Sequence, residues 1–105
     1  MPNKNYIAGR RFEYKIKKLY EKQGYTVLRS SGSHGFADLI AVRQDKFIYR
    51  DAIMYKARII FIQCKNRRPT QKEISDLQRF SWLFQSTKDW LIEVKIVSPD
   101  KEVIV

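Results

Sequence analysis

The spacing of apolar positions changes several times along the chain, and each change marks an element. From Arg10 to Gln23 the apolar residues fall three and four apart: Phe12, Ile16, Leu19 and Tyr20 make one stripe of a helix. Gly24 is placed to end that helix. Tyr25-Thr26-Val27-Leu28 is aromatic and β-branched, and reads as a first strand. A polar loop, Arg29-Ser30-Ser31-Gly32-Ser33-His34-Gly35, separates it from a second strand, Asp38 to Val42. Arg43 to Arg58 is expected to hold a turn near Gln44-Asp45 and another aromatic strand, Phe47-Ile48-Tyr49. Ile59 to Lys65 is the most apolar run and the expected central strand.

Arg67-Arg68-Pro69 breaks the pattern. Thr70, followed three residues later by Glu73, is a capping-box signature that starts a second helix. Ile74, Leu77, Ser81 and Phe84 share one face of it, with Phe80 beside them. Trp82 and Leu83 point elsewhere, so its last turns are apolar nearly all round and call for a second apolar surface. Trp90 to Val97 reads as a strand, Pro99-Asp100 as a turn and Glu102 to Val105 as a short edge strand. The order of elements predicts a single α/β domain over residues 1–105, a mixed sheet flanked by helices.

Composition narrows the function. Twenty-one Lys and Arg against eleven Asp and Glu give a net charge of +10, which favours a polyanionic partner such as nucleic acid. No apolar run approaches the ~20 residues of a membrane span, and the N-terminus has no signal-peptide pattern, so an intracellular setting and no membrane partner are expected. One cysteine, Cys64, fits a reducing compartment, and one cysteine with one histidine excludes a structural zinc site.

The chemistry starts from Ile62-Gln63-Cys64-Lys65. Gln63 and Lys65 project from the same face of the most apolar strand, while Cys64 alternates away as a small hydrophobe. Asp38 opens a strand after a glycine loop, and Glu13 lies on the margin of the first helix's apolar stripe. Two carboxylates, an amide oxygen and a lysine suit a hard divalent cation, Mg²⁺ with Mn²⁺ as a substitute, and hydrolysis of a phosphodiester. Each residue also has an ordinary reading: Glu13 pairing with Lys17, Asp38 capping a strand, Gln63 and Lys65 at an exposed strand end. Ile92-Glu93-Val94-Lys95 is a rival Glu-x-Lys, but it follows the long helix. His34, the only histidine, is a general base or a phosphate contact, and Arg10, Arg11, Arg67 and Arg68 are DNA-backbone contacts or a solvated surface.

Glu13, the Arg29-Ser30-Ser31-Gly32-Ser33 loop, Asp38-Leu39-Ile40-Ala41 and Ile62-Gln63-Cys64-Lys65 together resemble the archaeal-type Holliday junction resolvases of the PD-(D/E)XK nuclease superfamily. The resemblance implies a restriction-endonuclease-like core, with Glu13, Asp38 and Gln63 as metal ligands and Lys65 as the catalytic lysine. It places Arg29 and Ser33 near the scissile phosphate. It further implies a homodimer, joined by the helix of Phe80, Leu83 and Phe84, that nicks opposed strands of a four-way junction and leaves 5′-phosphates. Two features depart from the family: Gln63 stands where Glu is usual, as in Mrr-like branches, and the 25 residues from Asp38 to Gln63 are long for it. The added length falls in Arg43 to Arg58, where Lys46, Arg50, Lys56 and Arg58 are placed to contact junction arms. Other nuclease activities of the fold, on flaps or duplexes, and a non-catalytic binder of branched DNA remain open on these residues.

Overall fold

The computed structural model describes residues 4–30, 37–83, 90–99 and 102–104. Helix α1 spans Lys4–Lys22 and starts earlier than its stripe predicts. Gly9 sits inside it with open space around its α-carbon, so a residue that weakens helices by about 1 kcal/mol is tolerated there. Gly24 ends the helix at φ +92°, where a side chain would be strained. The Tyr25 N–H donates to Tyr20 O and the Gly24 N–H to Glu21 O, the paired bonds of a Schellman stop.

Five strands follow in one sheet, in the order β1 (Thr26–Arg29), β2 (Leu39–Tyr49), β3 (Ala52–Cys64), β4 (Trp90–Val97) and β5 (Glu102–Ile104). β3 is central, and only its pairing with β4 is parallel, because helix α2 (Gln71–Ser81) makes the crossover between them. α2 begins at the capping box that Thr70 and Glu73 predict.

Each face of the sheet carries its own core. Val27, Leu39, Ala41, Ile60 and Ile62 are buried under Ile16 and Tyr20 of α1, with Cys64 packed beside them. On the other face Leu77 of α2 covers Val94 and Ile96, and Phe80 meets Phe61 edge to face with ring centroids 5.5 Å apart. Phe80 thus completes the second core of the monomer, while Trp82 and Leu83 are 77% and 75% exposed. Phe84 lies outside the described residues.

The turn expected near Gln44-Asp45 does not form. β2 runs straight through to Tyr49, absorbing Phe47-Ile48-Tyr49, and the chain reverses at Arg50-Asp51, both with positive φ (50° and 64°). This is the two-residue hairpin loop whose twist suits paired strands. Asp45 is polar for another reason: it accepts from Arg43 Nε at 2.7 Å and from Arg58 Nε at 2.8 Å, a clamp across the two strands.

Candidate active site

The pairing of β2 with β3 decides which side chains meet. Leu39 pairs with Ile62, which brings Asp38, just before β2, to the end of β3. The Asp38 N–H donates to Ile62 O at 2.9 Å, and its Oδ2 accepts from the Cys64 N–H at 2.8 Å. Gln63 and Lys65 alternate with Cys64, which packs on the α1 side, so they share the α2-side face of this strand end, and the Asp38 carboxylate sits at the backbone between them. The Asp38 carboxylate caps a strand as its ordinary reading expects, and it does so beside the Gln63/Lys65 pair.

Glu13 approaches the same end from α1. Its Oε2 accepts from Arg29 Nε at 3.3 Å, so its partner is Arg29 rather than Lys17. Burial, and then the charge of Asp38, push the Glu13 carboxyl above its ordinary value, against the pull of Arg29 and Arg10. Two carboxylates that repel each other at a sheet end are a place for a cation. The donor chemistry fits a hard divalent ion: Glu13 and Asp38 supply carboxylate oxygens, and Gln63, next to the Cys64 whose N–H meets Asp38, carries an amide oxygen. Among the described residues no cluster of three His, Cys, Asp or Glu forms. Cys64 takes no part, since burial, with Asp38 and Glu13 nearby, pushes its thiol well above its ordinary value.

Two hollows flank this point. One, of roughly 270 Å³, is lined by Arg10, Glu13, Tyr14, Lys17, Arg29 and Leu39. The other, of roughly 410 Å³, is lined by Cys64, Lys65, Asn66 and Arg67. The first sets its cations beside Glu13 and the second carries Lys65 and Arg67, cations of the kind a phosphate backbone takes. Arg11 and Arg68 are exposed outside them, and Ser33 and His34 lie outside the described residues.

The rival Glu93/Lys95 pair occupies the opposite face. Glu93 registers with Ile60 and Lys95 with Ile62, which turns both toward α1. There Glu93 lies 3.7 Å from Arg58, and Lys95 sits over the Tyr20 ring.

Sequence reasoning missed the partner of Lys65. Its Nζ lies 2.5 Å from Glu73 Oε2, at the start of α2. The capping box accounts for one Glu73 oxygen but carries no sign that the other reaches the strand end.

The restriction endonuclease family matches residues 5–100 of the chain. The chain is also similar to the crossover junction endodeoxyribonuclease Hjc of Methanocaldococcus jannaschii, 34% identical over 84 residues. That alignment covers 75% of this chain and 53% of the relative, so the chain spans about half the length of the curated relative it matches. No solved structure matches. The resemblance to archaeal-type resolvases and the mixed, helix-flanked sheet agree with both matches. From α1 to the end of β4, the chain belongs to the restriction endonuclease family.

Proposed function

We propose that the chain is a divalent-metal-dependent, structure-selective DNA endonuclease that resolves four-way junctions by paired nicks as a homodimer. The observation that carries this reading is the bond from the Cys64 N–H, between Gln63 and Lys65, to the Asp38 carboxylate, whose charge also acts on Glu13. Glu13, Asp38 and Gln63 hold Mg²⁺, or Mn²⁺ in its place; when bound, the ion supplies positive charge against the charge that develops on the phosphate. Lys65 donates to a phosphate oxygen and steadies the same charge. Arg10 and Arg29 border the acids, Arg11, Arg67 and Arg68 extend the basic surface, and the Ser33/His34 loop joins β1 to the Asp38 strand. Water attacks the phosphorus and the P–O3′ bond breaks, the 3′ oxygen leaving as a hydroxyl, so the product carries a 5′-phosphate. Trp82 and Leu83 offer the exposed apolar surface for two-fold association.

The test is a cleavage assay on four-way, flap and linear duplex DNA with Mg²⁺ or Mn²⁺. Symmetric nicks confined to the junction are expected. Equal cutting of linear duplex would replace this reading with an Mrr-like nuclease. Junction binding without nicks under either metal would make the chain a non-catalytic binder, the reading that the charge missing at Gln63 favours.

A further inference from the structure

We infer that Glu73, at the start of helix α2, is a positioning residue for the Lys65 ammonium. This rests on the nuclease reading of the site. The lysine ammonium ends a flexible four-carbon stem and has no fixed direction of its own. Here it is held at both ends: the Lys65 N–H donates to Val97 O at 2.9 Å, and Nζ meets Glu73 Oε2.

The carboxylate that receives it is itself fixed. Oε1 of Glu73 accepts from the Thr70 N–H at 2.9 Å and from Arg67 Nη1 at 3.0 Å, and Oε2 accepts from Arg67 Nη2 at 3.2 Å. The Glu73 N–H donates to Thr70 Oγ1 at 3.2 Å. A helix cap needs only one of these oxygens, and the second is aimed at the strand end. With donors on both oxygens the carboxylate cannot turn away, so the first turn of α2 sets where the ammonium sits. Arg67 faces Glu73 from the connecting loop and is held by the same group.

Glu73→Gln is the informative variant, because glutamine also serves at this position of a capping box and keeps the helix start. On four-way junction DNA with Mg²⁺, kcat is expected to fall about tenfold or more while KM stays within about twofold, as for a misplaced reacting group. Adding Glu73→Gln to Lys65→Ala should cost nothing further, because the effect runs through the lysine. Acetylation of the intact chain, followed by mass spectrometry without DNA, should show Lys65 reacting several-fold faster in Glu73→Gln than in wild type. Equal acetylation in a wild-type chain that does nick overturns the positioning role alone. So does a Glu73→Gln loss that adds in full to Lys65→Ala. A wild-type chain that nicks no junction overturns it together with the nuclease reading.

Discussion

The two ends of the β2–β3 ladder are made of different material. At one end the Asp38 carboxylate bonds to the backbone between Gln63 and Lys65 over a doubly covered sheet, beside the fully buried Leu39 and Ile62. At the other, from Arg43 to Tyr49 and back to Lys56, the strands pair only with each other among the described residues, since β1 reaches Val42 and β4 begins opposite Ala57. That arm exposes Phe47, Ile48, Tyr49, Ile53, Met54 and Tyr55, with Ile48 76% exposed. At ~3.3 Å per residue the 13 residues of β3 run about 43 Å, most of the molecule's 56 Å longest dimension. Position at the covered end is fixed by packing, whereas the arm holds its shape through backbone pairing, a tight turn and the Arg43–Asp45–Arg58 clamp. Substitutions should therefore matter most at the first end and fade toward the tip.

The largest effect is expected at Lys65: Lys65→Ala should lower junction cleavage by about 10²-fold or more with the fold intact by circular dichroism. Next is the packing beneath it. Ile62 is fully buried, so Ile62→Ala should cost about 2–5 kcal/mol in urea unfolding. At the base of the arm the Asp45 clamp is worth about 1 kcal/mol. The hydrogen bonds from Arg43 and then Arg58 hold its carboxyl below the ordinary 3.8. A depressed folded value stabilises above the unfolded pKa and is lost as pH falls through the folded one. Wild-type Tm should thus drop more steeply below about pH 4 than that of Asp45→Asn. The smallest effect belongs to the tip, where Ile48→Thr should change stability by no more than about 0.5 kcal/mol while reducing self-association seen by light scattering. Gln63→Glu sharpens the contrast from the other side. An added carboxylate should preserve or raise cleavage at low Mg²⁺, and a severe loss would remove Gln63 from the metal site.

Much of the fold was legible because its cues are local. The α1 stripe, the Gly24 stop, the Thr70/Glu73 cap and the apolar runs of β3 and β4 each carry their own physical signature. The turn was not, because Arg50 and Asp51 take up positive φ without the glycine or asparagine that would advertise it. Asp45 drew the turn toward itself by being polar, when its polarity serves two arginines from facing strands. Of the candidate site, the order Glu13, Asp38, Gln63, Lys65 could be read along the chain, but Glu73 could not. Its contact with Lys65 depends on how α2 docks, and no spacing rule encodes that. The choice between Lys65 and Lys95 likewise needed strand register, which puts the two on opposite faces.

The pairing of Leu39 with Ile62 also limits how this protein can change in length. One residue added to β2 or β3 alone shifts every pair by one and exchanges the faces. Gln63 would then turn toward α1 and Cys64 away from it. Residues added in matched pairs at the Arg50-Asp51 tip leave every pair as it was, so the reach of the arm can grow or shrink by twos. An odd change has to be absorbed in a bulge before it arrives at the Leu39–Ile62 pair.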